Sequence, residues 1–205
     1  MGDSTSHSRT QQRKGGLMQI YRKWAMPNAD TFSIKPINEL IQDYIDSTWS
    51  KDFRWVDPFV RNSPFKSRMW MTNDLNPEFE ADTNVDALLF LDNMRTDSVN
   101  GVLFDPPYSP RQITECYQGV GRVTTMEDTQ SAFYSKLKKQ IARIVMDDGY
   151  VISLGWNSGG IGKTLGFEIQ EILLVAHGGW HNDTIVTVER KRQSQQTELF
   201  DKRRV

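Results

Sequence analysis

Apolar residues in Ile37-Asn38-Glu39-Leu40-Ile41-Gln42-Asp43-Tyr44-Ile45 return every third or fourth position. That spacing lines one face of a helix, so the stretch predicts an amphipathic α-helix. The period then changes. Residues 53–59 (FRWVDPF) and 68–74 (RMWMTND) are short apolar runs rich in aromatics that end in turn residues, and they predict strands. Residues 82–94 (DTNVDALLFLDNM) predict a helix with Asp or Asn near its start, and residues 100–108 (NGVLFDPPY) a buried strand ending in a rigid turn. An amphipathic helix over 131–145 and a second buried strand over 149–156 follow. Residues 167–177 and 184–191 are β-rich runs separated by the turn Gly178-Gly179-Trp180-His181-Asn182-Asp183, which predicts an antiparallel hairpin. This alternation of strand and helix predicts an α/β fold, a mostly parallel sheet with the C-terminal antiparallel hairpin at one edge.

The first sixteen residues are Ser, Thr, Gln, Gly and charge, with too little apolar content to offset the entropy of ordering them. The expected organisation is a disordered tail over 1–16, one domain over 17–192 and a flexible tail over 193–205. A chain of 205 residues suits one sizeable core better than two. No apolar run approaches the roughly 18 residues of a membrane span, and the start does not read as a secretory signal, so the cytoplasm is the expected compartment. The single Cys116 excludes an internal disulfide framework. The formal charge of -1 does not announce a nucleic-acid binder. Basic residues gather near the two ends (Arg13, Lys14, Arg22, Lys23; Arg190, Lys191, Arg192, Lys202, Arg203, Arg204), where solvated tails and phosphate contacts are both open readings.

Two Asp-Pro pairs, Asp57-Pro58 and Asp105-Pro106, stand where predicted strands end. In open α/β sheets ligands bind beyond the carboxyl ends of the strands, so both pairs are expected to converge on one crevice. Asp105-Pro106-Pro107-Tyr108 is the most informative stretch, because two prolines fix φ and present an acid and an aromatic at the ends of a stiff turn. Taken alone it also fits a strand-terminal Asp followed by a proline turn. Methylation of an exocyclic amine uses all four positions: a carboxylate and a backbone carbonyl accept the amine's hydrogens while an aromatic ring stacks on the base.

Here the chain resembles the S-adenosylmethionine-dependent DNA amino-methyltransferases, whose adenine-specific members carry DPPY. The resemblance runs from about Trp24 through Asp105 to the hairpin, and implies a Rossmann-like methyltransferase fold with S-adenosylmethionine as cofactor. It also implies that Asp105 and the Pro106 carbonyl bind the target amine, with Pro107 stiffening the turn and Tyr108 stacking on the base. The segment FSIKPINELI followed by WVDPFVRNS is similar to the family's cofactor segments. By that match Phe32, Ser33, Ile34 and Lys35 border the methionine part of the cofactor, while Asp57, Pro58 and Phe59 line its floor, Asp57 facing the ammonium. Asn62 matches a DPF-x-G-N-S variant of the segment. The chain departs from it at Arg61, where the family usually has the glycine that lets backbone approach the cofactor closely. Asp74, ending a predicted strand, is a candidate for the ribose hydroxyls or a turn cap. Asp86 with Ala87 resembles the family position that binds the cofactor's adenine, and Asp86 equally suits a helix N-cap.

Arg111, Gln112 and Arg122 lie between the DPPY turn and the next helix, and are candidates for bidentate base contacts or phosphate contacts on DNA. Only some twenty residues separate that turn from Ser131, which leaves little surface for reading sequence and implies a short or relaxed site. Four of the tryptophans, Trp55, Trp70, Trp156 and Trp180, sit in or beside strand-like runs and, with Trp49, are expected in the core. GGIGKT lacks the first glycine of a phosphate loop, with Asn157 in its place, and His177 and His181 flank a glycine pair rather than a helical turn, so nucleotide hydrolysis and a zinc site are not expected. In the tail, Gln196, Leu199 and Phe200 resemble the short motif by which bacterial DNA enzymes dock on the sliding clamp; packing on the domain's own surface is the competing reading. The compact form is similar to phage-encoded orphan methyltransferases. An RNA amino-methyltransferase, or a non-catalytic DNA-binding protein on a decayed methyltransferase fold, are the alternatives.

Overall fold

The computed structural model describes residues 18–48, 52–121 and 131–193. The expected N-terminal tail, all but the first residue of the expected C-terminal tail, the clamp-like Gln196, Leu199 and Phe200, and also Trp49 and Arg122, lie outside the described residues. Strands β1 (Gln19–Trp24), β2 (Trp55–Asp57), β3 (Met71–Thr72), β4 (Val99–Phe104), β5 (Val145–Gly155), β6 (Phe167–Ala176) and β7 (Thr184–Lys191) form one sheet in the order β1-β6-β7-β5-β4-β2-β3. Every neighbouring pair is parallel except the two that involve β7. Helices α1 (Lys35–Thr48), α2 (Ala87–Asp92), α3 (Pro110–Gly119) and α4 (Ser131–Ile144) complete it.

The central strands carry apolar side chains on both faces because both faces are covered. Along β2 and β4, Trp55 and Leu103 face one core, which contains Ile37, Leu40, Ile41 and Ile45 of α1. Their neighbours Val56, Val102 and Phe104 face the other core, with Phe90 and Leu91 of α2, Ile113 of α3 and Leu137 and Ile141 of α4. The two-residue period of a strand thus distributes one apolar run between two cores. Gly101 belongs to the same packing, since a Cβ there would stand 2.3 Å from Cδ2 of the fully buried Trp55.

Four elements differ from the sequence reading. β1 is an added strand whose residues are mostly exposed; it pairs along β6 through backbone hydrogen bonds, so the β6–β7 hairpin is internal and β1 forms the edge. Helix α3 occupies what reads as a connection; Pro110 at its first turn and the Ser109 hydroxyl, accepting from the Gln112 N–H at 3.3 Å, start it. β3 is only two residues long. α2 is shorter than the 82–94 stretch: it begins at Ala87 with Asp86 as N-cap, as the sequence suits, while Asp82 is held by Thr72, whose N–H and hydroxyl both donate to Oδ2 at 2.7 Å. No helix among the described residues is long and apolar enough to cross a membrane.

Candidate active site

The chain leaves β2 for β3 on one side and then returns to β4 on the other, so the winding reverses between β2 and β4. The carboxyl ends of these adjacent strands border the crevice that such a reversal opens, and they carry Asp57 and Asp105. The two Asp-Pro turns therefore meet as the sequence suggests.

Asp57 has no exposed surface. Its Oδ1 accepts the Phe59 N–H at 2.9 Å, and its Oδ2 has no hydrogen-bond partner. Burial pushes its pKa up to about 8, against the pull of the Phe59 N–H and with a smaller push from Asp105 and Asp74. The loop after it is tied to the residues that follow β3 at several points: the Val60 N–H donates to the Asn73 carbonyl (2.9 Å), Asn73 Nδ2 to the Pro58 carbonyl (3.2 Å) and the Arg61 N–H to Asp74 Oδ2 (3.0 Å). Arg61 has φ +39°, the left-handed region that favours glycine, so the backbone keeps the glycine conformation at the position where the side chain departs from the family pattern. Its guanidinium lies 5.7 Å from the Phe79 ring centre and lines the crevice with Asp105.

The Tyr108 hydroxyl donates to Asp105 Oδ1. Desolvation raises the Asp105 pKa to about 6, and the hydroxyls of Tyr108 and Thr31, with the Arg61 charge, restrain the rise. Burial and the adjacent carboxylate push the Tyr108 phenol up. The turn itself is clamped from two helices: the Tyr108 N–H donates to Gln112 Oε1 at 2.6 Å, and the Tyr134 hydroxyl of α4 donates to the Pro107 carbonyl. The Tyr108 ring meets Trp156 edge to face, with centroids 5.6 Å apart.

Asp105, Pro106, Tyr108, Gln112 and Trp156 line a cavity of about 430 Å³, walled on its far side by Trp180 and neighbouring residues of the β6–β7 turn. A pocket of about 20 Å³ lies between residues 29–32 and the 59–63 loop and is also bordered by Asp105. Phe32 and Asn62 are on its walls, while the fully buried Asp57 does not line it. The two walls are joined by Asn62 Nδ2 donating to Asp30 Oδ1 at 3.3 Å.

Other residues singled out from sequence have partners that narrow what they offer. Ile34 is buried, Ser33 exposed, and the Lys35 ammonium sits in solvent beside Glu39 at 3.9 Å. Both oxygens of Asp74 accept backbone N–H groups, from Arg61 and from Asn76 (2.9 Å). Asp86 accepts the Leu88 N–H (2.8 Å) and the Tyr117 hydroxyl, and Ala87 is buried in the core. Arg111 pairs with Glu115 at 2.7 Å. The expectation of core tryptophans holds only for Trp55 among those described: Trp70 and Trp156 are about half exposed and Trp180 fully so, because they stand at strand ends and in a turn where the sheet no longer covers them. His177 is a structural tie, its Nδ1 at 2.9 Å from the Ala25 carbonyl and its Nε2 at 2.8 Å from the Thr184 hydroxyl. The GGIGK loop is held by buried Glu189, which accepts the N–H groups of Ile161 (2.5 Å) and Gly162 (2.9 Å). No cluster able to hold a metal ion occurs among the described residues. Thr31, Tyr134 and the cavity roles of Trp156 and Trp180 were not legible in the sequence, since each depends on contacts between distant segments.

No protein-family model and no curated protein sequence matches the chain. Its fold is similar to solved methyltransferases. TrmN from Thermus thermophilus superposes with a TM-score of 0.51 at 15% identity, over 77% of this chain and 49% of that one; the chain thus spans about half the length of that protein. A SAM-dependent methyltransferase from Archaeoglobus fulgidus gives 0.50 at 9% identity, over 77% and 94% of the two chains. The N-methyltransferase NodS from Bradyrhizobium japonicum WM9 gives 0.51 at 7% identity, over 78% and 96%. The chain has the Rossmann-like methyltransferase fold, a mostly parallel seven-stranded sheet with an antiparallel β6–β7 hairpin.

Proposed function

We propose that the protein is an S-adenosylmethionine-dependent methyltransferase acting on the exocyclic amine of adenine in DNA. The observation that carries this reading is the pair of acids at the β2/β4 reversal: Asp57, buried with an orphaned Oδ2, and Asp105, at the rim of a cavity shaped by Pro106, Tyr108 and Trp156. A buried carboxylate oxygen without a donor suits the ammonium of an amino-acid moiety, and the methyltransferase fold of the neighbours agrees with that choice of cofactor. When bound, S-adenosylmethionine supplies an activated methyl group.

Asp57 would hold the ammonium, and Asp74 and Asp86 would accept further hydrogen bonds on the lone pairs their internal partners leave free. The pocket of about 20 Å³ has room for a water molecule only, so residues 29–32 must part from the 59–63 loop for binding. On the target side Asp105 and the Pro106 carbonyl would accept the two hydrogens of the amine, orienting its lone pair. Tyr108 first gives up its hydrogen bond to Asp105, and its ring then becomes free to stack on a base rotated out of the duplex, at a cost of about a few kcal/mol. Above pH 6 Asp105 is ionised and able to take the proton that methylation releases.

The test is transfer of labelled methyl from S-adenosylmethionine to unmethylated DNA, followed by nucleoside analysis. N6-methyladenine formed by the wild type and absent with Asp105→Ala supports the reading. Label found only in RNA, or in no nucleic acid, overturns it.

A further inference from the structure

Gln112 lines the cavity beside Asp105 and Tyr108, and the orientation of its amide is fixed by chemistry. The atom it presents to the Tyr108 N–H, 2.6 Å away, must be an acceptor, because a backbone N–H only donates. Oε1 therefore gives one lone pair to the catalytic turn, which leaves Nε2 as the end of the amide that no internal partner holds. Nε2 is left with two N–H donors and no partner among the described residues. Once a planar target fills the cavity and excludes water, these donors either meet an acceptor on the target or are left unsatisfied.

We infer that Gln112 is a specificity-determining residue, donating from Nε2 to a lone-pair ring nitrogen on the same edge of the target as the amine held by Asp105. This inference rests on the function proposed above and deepens it. The target class is an amino-substituted heteroaromatic base with an acceptor nitrogen near its amino carbon. Adenine meets the requirement with N1 or N7. A benzenoid amine, or an amine flanked only by C–H, does not. The same residue thus has two functions: its oxygen shapes the turn that carries Tyr108, and its nitrogen reads the base that the turn receives.

The test uses a DNA duplex that the wild type methylates, and the same duplex with the target adenine replaced by 1-deazaadenine or 7-deazaadenine. Gln112→Glu keeps an oxygen for the Tyr108 N–H and removes both donors; Gln112→Leu removes the oxygen as well. With wild type, one of the two deaza duplexes is expected to lose about tenfold in kcat/KM, the effect of leaving the amide N–H unpaired. With Gln112→Glu that deaza penalty disappears, whatever the variant's rate on adenine, since the partner of the missing nitrogen is already gone. A deaza penalty that persists undiminished in Gln112→Glu, or the absence of any penalty with wild type, overturns the inference while leaving adenine methylation standing. Absence of methyl transfer to any adenine duplex by the wild type overturns both.

Discussion

Replacing Asp57 by Asn should stabilise the protein increasingly as pH rises. The carboxyl has an ordinary value of 3.8 when unfolded and about 8 when folded. Between those values the folded state holds a proton that the unfolded state has released, so stability falls with rising pH. The contribution of the neutral form is fully present below about pH 4 and is lost as pH climbs to about 8. Each unit is worth about 1.4 kcal/mol, so from pH 5 to pH 7 wild type loses about 2 to 3 kcal/mol through this group alone.

In Asp57→Asn, Oδ1 still accepts the Phe59 N–H, and an amide nitrogen stands where Oδ2 was. Leaving that nitrogen unpaired costs about 1 to 3 kcal/mol at every pH, an offset that does not enter the slope. Titration of Asp105 and Glu189, both also raised, is common to the two proteins and largely cancels. Urea unfolding at pH 5, 6, 7 and 8 measures the gap between them, which is expected to widen by about 2 to 3 kcal/mol from pH 5 to pH 7. Parallel stability curves would refute the claim that Asp57 is protonated in the resting fold. Calorimetry supplies an independent readout: if the cofactor's ammonium pairs with ionised Asp57, binding at pH 7 releases close to one proton, seen as heat that depends on the buffer.

Asp105→Asn should lower methyl transfer by about a hundredfold or more while leaving cofactor affinity within a factor of about two; wild-type rate should fall as pH drops through about 6, where Asp105 becomes protonated. Arg61→Gly should relieve the positive φ and stabilise the fold by up to about 1 kcal/mol. By removing a charge that holds the Asp105 pKa down, it should also move the low-pH limb of the rate upward, and an unmoved limb would show that Arg61 does not act on Asp105. Gly101→Ala places a Cβ 2.3 Å from the Trp55 ring and should cost about 2 kcal/mol or more in denaturant unfolding; a change under about 0.5 kcal/mol would mean the indole has room to shift.

The parts legible in the sequence are those decided by local chemistry. Ile37, Leu40, Ile41, Tyr44 and Ile45 repeat at helical spacing and are all buried on one face of α1. Both Asp-Pro pairs end strands because proline cannot continue a ladder, and the winding of the chain then makes them neighbours. β1 was hidden for the opposite reason: its pairing is made by backbone groups, which every sequence has, and its side chains carry little apolar pattern. Helix α3 had a readable start in Ser109-Pro110, but only Ile113 is buried along it, so its apolar signal is faint. Trp156 and Trp180 misled because large aromatics usually mark a core, and nothing local distinguishes a tryptophan that caps a strand end beside a cavity.

The engagement of each acid sets an order on the crevice. The oxygens of Asp74 and Asp86 already accept internal donors, and Asp105 accepts the Tyr108 hydroxyl, so a ligand reaching these groups exchanges one hydrogen bond for another or uses a second lone pair. Asp57 Oδ2 differs, because it has no donor to lose. In the proposed reaction a cation delivered to Asp57 would replace the carboxyl proton without displacing a hydrogen bond, and the segment joined by Asn62 and Asp30 would open to receive it. Ionising Asp57 to pair with that cation leaves little net charge behind the crevice wall. Asp105 would then act as a carboxylate screened by Arg61, available to an amine once Tyr108 turned away. For the function proposed above, cofactor would therefore bind before target. In the proposed reaction Tyr108 would have two successive partners, the carboxylate at rest and the base in the bound state.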